Sequence, residues 1–135
     1  MSSIPAALRQ LVCERAKGKC EYCLIHQDFS IYTHEVDHII ALKHSGQTTA
    51  ENLALSCLSC NRHKGSDFAT LDPSSGEIIP LFNPRRQVWA EHFVLNSARI
   101  EGITSIGQAT ARLLMFNTST RLLSRQVLIA QGCYP

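Results

Sequence analysis

Several features are missing from this 135-residue sequence, and each absence excludes a class of protein. It contains no run of 18 or more apolar residues, so we expect no transmembrane helix. The stretch from Met1 to Pro5 has no basic segment followed by an apolar one. We therefore expect no signal peptide and a cytoplasmic protein without a membrane partner. Internal repeats and flexible linkers are also lacking, which predicts a single domain over 1–135.

The net charge of the whole chain is small, but basic and acidic residues are unevenly distributed along it. Thirteen Lys and Arg against 11 Asp and Glu give a net charge of +2, which neither requires nor excludes a nucleic-acid partner. Residues 1–80 hold 7 basic and 9 acidic side chains, whereas residues 81–135 hold 6 Arg and 2 Glu. Hydrophobic residues make up 44% and charged residues 18%, a composition that excludes a disordered chain.

The cysteines are the most informative residues present. Four of the six form two matched pairs, Cys20-x-x-Cys23 and Cys57-x-x-Cys60, separated by 33 residues. A disulfide framework is disfavoured in a chain for which we expect no secretory signal. A redox C-x-x-C motif does not need a second copy, so we predict one structural zinc held by four thiolates. The gap is longer than the ~15–20 residues of a zinc ribbon, so a substantial element lies between the pairs.

Local sequence patterns predict a mixture of helices and strands. A helix is predicted over 4–17, with Ser3 as the cap and Pro5 in the first turn. Residues 29–42 favour two short strands around Asp37 and His38, and a short helix is expected at 60–69. The turn at 72–76 predicts a hairpin that ends near Phe82. Strand is slightly favoured over 88–103, and two helices follow, from about 106 and from about 118 to Gly132.

Asp37 and His38 are adjacent residues that can divide the work of hydrolysis. A carboxylate binds hard cations through oxygen, and an imidazole that titrates near neutrality can accept a proton from water. An isolated Asp-His pair is a weak signal, because surface turns contain such pairs too. Its interpretation depends on the surrounding residues.

Those surroundings form an ordered, composite motif. Asp37-His38-Ile39-Ile40 is followed by Asn52-Leu53 and then by Cys60-Asn61-Arg62-His63-Lys64-Gly65, and Cys20-Glu21-Tyr22-Cys23 precedes them all. This pattern, from about Arg15 to Asp67, resembles the HNH endonucleases of the zinc-stapled, four-cysteine type. The last motif position holds Asn61, so the chain resembles a His-Asn-Asn variant of that family.

The resemblance implies an α+β fold with a ββα-metal (His-Me finger) core, in which a hairpin and a helix clasp one divalent cation. The core would span 19–70, after an N-terminal helix in 1–18 and before a mixed hairpin and helical extension in 71–135. By position, His38 would be the general base and Asp37 a metal ligand. Asn52 would brace the loop that aims His38, and Asn61 would be the second ligand, with His63 as the alternative.

The function implied by the resemblance is metal-dependent hydrolysis of DNA phosphodiester bonds, leaving 5′-phosphate and 3′-hydroxyl ends. The cofactors would be a structural Zn²⁺ and a catalytic Mg²⁺ or Mn²⁺. RNA stays open as a substrate, and so does a homodimer. His34 is a further candidate beside the site. The basic residues expected to meet phosphates are Arg62 and Lys64 on the short helix, and Arg85, Arg86, Arg112, Arg121 and Arg125 in the extension.

A non-catalytic alternative uses fewer of these residues. The four cysteines and the arginine-rich extension would be enough for a zinc module that binds nucleic acid or another protein. That alternative predicts that Asp37→Ala and Asn61→Ala leave all function intact. The endonuclease interpretation predicts that they do not.

Overall fold

The computed structural model describes residues 3–135, so Met1 and Ser2, which belong to the expected N-terminal segment, lie outside the described residues. The elements are α1 (Ala6–Arg15), β1 (Glu35–His38), β2 (Leu53–Ser56), α2 (Leu58–Lys64), β3 (Ala69–Leu71), β4 (Ile78–Pro80), α3 (Trp89–His92), β5 (Phe93–Asn96), β6 (Arg99–Gly102), α4 (Ser105–Leu113) and α5 (Ser119–Ala130). The fold is therefore α+β, as expected. None of the helices in the described part of the chain has the length and apolar character that a membrane crossing needs.

The strands form three separate antiparallel pairs, β1–β2, β3–β4 and β5–β6. In the first pair His38 lies opposite Leu53 and Glu35 lies opposite Ser56. Helix α2 begins two residues after β2 ends and packs against β1. The order β1, β2, α2 is the hairpin followed by a helix that a ββα-metal core requires.

The prediction of two strands within 29–42 is wrong. Only β1 forms there, and 14 residues separate its end from the start of its partner β2. The apolar residues that suggested a first strand are in irregular chain, where Ile31 is 95% exposed. After His38 the backbone leaves the ladder because the N–H and C=O of Ile40 pair with the side-chain amide of Asn52. The side-chain amide of Asn52 therefore makes the hydrogen bonds that a neighbouring strand would make.

Two further expectations need smaller corrections. Helix α1 begins at Ala6 with Pro5, not Ser3, at the cap position, and no side chain caps it. Proline suits this boundary because it has no N–H to leave unpaired at the first turn. The segment 88–103 contains a hairpin, as favoured, but a single helical turn over Trp89–His92 precedes it. The hairpin around 72–76 is confirmed, with Leu71 opposite Ile78.

Two groups of buried side chains hold the fold together. Val12 of α1 packs with Leu53 and Leu55 of β2, which attaches the N-terminal helix to the back of the hairpin. The larger group surrounds the four paired cysteines and includes aromatic residues of the extension, among them Phe82, Phe93 and Phe116. The C-terminal third therefore shares a core with the cysteine turns.

Candidate active site

The four paired cysteines converge on one buried point. Cys20 and Cys23 lie in the turn after α1, whereas Cys57 caps α2 and Cys60 lies within its first turn. All four are free thiols at 0–5% exposure, and their Sγ atoms lie within 4.8 Å of one another. They are the one group of at least three His, Cys, Asp or Glu in residues 3–135 that is close enough to hold a metal ion.

Hydrogen bonds shape this quartet for a metal. The Cys23 N–H donates to the Cys20 sulfur and the Cys60 N–H to the Cys57 sulfur, both at 3.4 Å. Burial raises the pKa of the Cys20 thiol, while hydrogen bonds from the neighbouring cysteines lower the pKa of Cys23. Four converging sulfurs without a disulfide are the ligand set of a structural zinc, which the residues therefore fit.

The extension supplies a cation to the quartet. Arg121 Nη2 of α5 donates to the Cys60 sulfur at 3.1 Å. Burial alone would disfavour the charged guanidinium, but the Cys60 and Cys23 thiolates outweigh it and raise the Arg121 pKa. Two neutral contacts add to this one, because Trp89 Nε1 donates to the Tyr22 carbonyl at 2.8 Å and the Tyr134 hydroxyl to the Cys23 carbonyl at 2.7 Å.

This arrangement corrects the prediction that the arginines of the extension form a grip for phosphates. Arg121 is committed to the cysteine sulfurs, and Arg125 is 2% exposed with donor bonds to the carbonyls of Ala98 and Phe116. Arg112 is exposed and donates to the Leu71 carbonyl. The guanidiniums of Arg121 and Arg125 cannot bind phosphate because they already donate hydrogen bonds within the protein.

Arg85 is a similar correction. Its guanidinium pairs with the Glu21 carboxylate inside the first cysteine turn and also donates to the Leu53 carbonyl at 3.3 Å. Arg15 of α1 donates to that same carbonyl oxygen. Arg86, the next residue, is exposed and stays available for an anionic partner. Sequence reasoning paired these two arginines, but the structure separates their roles.

Asp37 and His38 occupy the last two positions of β1, so their side chains point to opposite faces of the strand. The His38 ring is held through Nε2, which lies 2.9 Å from the Thr48 hydroxyl. Thr48 belongs to the polar loop between β1 and β2, a segment without any motif. Sequence reasoning missed it because nothing in Gly46-Gln47-Thr48-Thr49 distinguishes one residue as a partner.

Asn52 fastens both ends of the loop that carries Thr48. Its side-chain oxygen accepts from the Ile40 N–H at 2.9 Å, and its amide nitrogen donates to the carbonyls of Ile40 and Gln47 at 2.9 and 2.8 Å. The packing leaves room only for glycine at position 46, since an added Cβ would lie 1.8 Å from the Ile40 oxygen. Asn52 therefore braces the loop that lies beside His38.

Lys64, which is expected to meet phosphate from the short helix, is buried inside the protein. It is 2% exposed, its Nζ lies 3.5 Å from Asp37 Oδ2, and it donates to the His38 carbonyl at 3.2 Å. It therefore contacts both residues of the Asp-His pair and cannot reach an external phosphate. Burial raises the Asp37 pKa, although Lys64 acts in the opposite direction.

The remaining predicted residues lie on or near α2. Asn61 is half-buried, one turn before Lys64 on the same helix face. Arg62 and His63 are exposed, and His63 Nδ1 bonds to the Ser59 carbonyl of its own helix at 2.8 Å. His34 is 7% exposed and bonds through Nε2 to the Ile25 carbonyl, beside the first cysteine turn. These contacts leave only Arg62 projecting freely.

The geometry defines the class of protein. A two-stranded hairpin, a following helix, an Asp-His pair at the end of the first strand and a four-cysteine metal site fit a ββα-metal core.

A comparison with protein-family models adds a sequence similarity. Residues 20–67 match the model described as HNH endonuclease. The four cysteines agree with the zinc-stapled type of that family. No curated protein and no solved structure shows a significant match to the chain. The family supports a nuclease-type function in general and a nucleic-acid substrate.

Proposed function

We propose that the protein is a metal-dependent endonuclease that hydrolyses DNA phosphodiester bonds with His38 as the general base, leaving 5′-phosphate and 3′-hydroxyl ends. One observation carries this proposal. The Asp37-His38 pair lies at the end of β1, with its backbone held by Lys64 and the His38 ring held by Thr48. An imidazole that is held in one position is what a general base needs in order to take a proton from water.

The tautomer of His38 decides which ring nitrogen can act as the base, because either Nε2–H or the Thr48 hydroxyl can be the donor in their contact. When Nε2–H donates to the Thr48 hydroxyl at 2.9 Å, Nδ1 is left with its lone pair. Nδ1 would then take the proton from the attacking water. Asn52 acts as a positioning residue, because its three hydrogen bonds hold the turn at Ile40 and the loop that carries Thr48.

Asp37 and Asn61 would hold the divalent cation. Within residues 3–135, Asp37 Oδ2 is buried and accepts no hydrogen bond, but Lys64 Nζ lies 3.5 Å from it, so a divalent cation would have to displace this ammonium or share the oxygen with it. Mg²⁺ needs few protein oxygens because it retains several waters. When bound, it would stabilise the negative charge that develops on the phosphate and the leaving oxygen. Asn61 is favoured over His63 because it is half-buried on the helix face of Lys64, which contacts Asp37, whereas His63 is exposed.

Arg62 and Arg86 would position the nucleic-acid backbone. Both are exposed, and no hydrogen bond from either guanidinium is present within residues 3–135. Positive side chains of this kind contribute affinity that falls as salt rises. The four cysteines would hold the structural zinc that joins the start of the core to α2.

A plasmid assay tests the activity. Zinc-loaded protein with Mg²⁺ or Mn²⁺ should nick or linearise supercoiled DNA, and His38→Ala should lose at least about a hundredfold in rate. His92→Ala is the matched control, since His92 also bonds to a threonine hydroxyl, Thr104 Oγ1 at 2.7 Å, but lies in the extension. Mapping of the ends should give 5′-phosphates.

The same assay separates the non-catalytic alternative. Equal cleavage by wild type and His38→Ala would show that His38 is not the base. Absence of cleavage on supercoiled, linear, branched and single-stranded DNA and on RNA, together with tight binding, would favour a non-catalytic zinc module.

A further inference from the structure

A cavity of about 250 Å³ is lined by the two residues that follow the Asp37-His38 pair and has no role in the proposed chemistry. Its wall includes Ile39 and Ile40, which follow His38 in the chain, and Lys64, whose Nζ lies 3.5 Å from Asp37 Oδ2. The cavity is therefore continuous with the backbone of the candidate active site. It is smaller than the ~300–1,000 Å³ of pockets for drug-sized ligands, so a single planar ring suits it better than a whole nucleotide.

The cavity has an aromatic side. Phe68, 43% exposed, lines it and stacks on His44 with ring centroids 5.0 Å apart and planes 4° apart. An exposed stack of two flat rings offers a surface for a third ring. Buried Leu81 and Phe82 form an apolar floor.

The lining also includes hydrogen-bond donors. The Gln87 side-chain oxygen accepts from the Asn83 N–H at 2.8 Å, and the Asn83 side-chain oxygen accepts from the Arg85 N–H at 2.9 Å. Their amide NH₂ groups remain as donors at the rim, and exposed Arg86 stands beside them. A ligand that suits this rim presents hydrogen-bond acceptors and has a negative charge nearby.

We propose that this cavity binds one unpaired nucleobase of the nucleic-acid substrate, with the ring against Phe68 and the adjoining phosphate near Arg86. A base is flat, carries carbonyl or ring-nitrogen acceptors and is attached to a phosphate, which matches the three features of the cavity. A base in an intact duplex is stacked and paired, so the site favours substrates with an extrahelical or single-stranded nucleotide near the cut. This inference rests on the proposed function and adds a substrate class to it.

Binding without cleavage tests the inference. Labelled duplexes of one sequence carry no bulge, a single bulged thymine or a single bulged abasic nucleotide. Fluorescence anisotropy with Ca²⁺, in the His38→Ala background, gives the three affinities. The thymine bulge should bind about tenfold more tightly than the abasic bulge, as expected from the loss of one base–aromatic contact.

Phe68→Leu should reduce that tenfold ratio to below about twofold, and Phe68→Trp should retain it. Phe29→Leu is the matched control, because Phe29 is 45% exposed and also contacts a histidine, but lies beside the cysteine turns. This control should keep the full ratio.

Two results would overturn the inference, and they differ in what they say about the proposed function. If all three duplexes bind well with equal affinity, or if Phe68→Leu keeps the tenfold ratio, the cavity does not take a base and the endonuclease proposal stands. If none of the duplexes binds, the proposed function fails as well.

Discussion

Arg121 provides the sharpest prediction, because its guanidinium is the cation that contacts the cysteine quartet. Four thiolates around Zn²⁺ carry a net charge of −2, and Arg121 Nη2 lies 3.1 Å from the Cys60 sulfur. Opposite unit charges 4 Å apart attract by about 4 kcal/mol at an effective dielectric constant of ~20. Desolvation of the guanidinium offsets part of this, and hydrogen bonds to charged groups contribute a net ~1.5–3 kcal/mol.

Arg121→Gln removes this charge and keeps a hydrogen-bonding side chain. Since 1.4 kcal/mol is a factor of ten, the variant should hold zinc about 10- to 150-fold less tightly. Competition with a chromophoric chelator at neutral pH measures that ratio directly. Arg121→Lys, which keeps the charge without the planar fork, should lose less.

Arg112→Gln is the control for the loss of an arginine from the extension. Arg112 donates to a backbone carbonyl, that of Leu71, and contacts no sulfur. The zinc affinity of the Arg112→Gln variant should equal that of the wild type. If Arg121→Gln also binds zinc as tightly as the wild type, the electrostatic reasoning is refuted and Arg121 serves only to bond the Leu114 and Met115 carbonyls.

Four other changes have defined outcomes. Cys57→Ser should leave the chain largely unfolded by circular dichroism and below one zinc per chain by mass spectrometry, and a folded, active variant would contradict the zinc staple. Thr48→Val should lower kcat with little change in KM in steady-state cleavage, because the hydroxyl orients the base; an unchanged kcat would remove Thr48 from the mechanism. Lys64→Met should lower the free energy of unfolding in urea by about 3 kcal/mol, because it leaves the half-buried Asp37 carboxylate without its partner. Loss of nucleic-acid affinity without loss of stability would instead indicate that Lys64 binds phosphate. Arg62→Gln with Arg86→Gln should reduce the slope of log K against log salt by up to ~1.8, and an identical slope would exclude both from the backbone contact.

Motif spacing predicted the parts of the molecule that depend on local geometry. The two C-x-x-C turns place four sulfurs by their own backbone, so their convergence could be expected without knowledge of the fold. The order of hairpin and helix followed from the resemblance of the motif between them, although the second strand lies at Leu53–Ser56 and not within 29–42. The hairpin of 72–76 also followed, because its turn residues act over four or five positions.

Side-chain partners far apart in the sequence could not be predicted in the same way. Arg85 pairs with Glu21, 64 residues away, and nothing in either local sequence distinguishes this pair from a solvent-exposed one. Asn52 substitutes for a strand at Ile40, which ended β1 earlier than the apolar residues suggested. Lys64 could have been found, since the i to i+3 spacing from Asn61 places both on one face of α2.

The contacts of the Leu53 carbonyl limit how much of the chain can be removed before the fold is lost. Arg15 from the N-terminal helix and Arg85 from the extension both donate to this single oxygen in β2. A fragment cut to the family-matched residues 20–67 would lose both donors, along with Val12 and the three extension phenylalanines that cover its core. We therefore expect the smallest autonomously folding unit to be longer than the family-matched segment. Grafting that segment onto another protein would require transfer of the flanking segments as well.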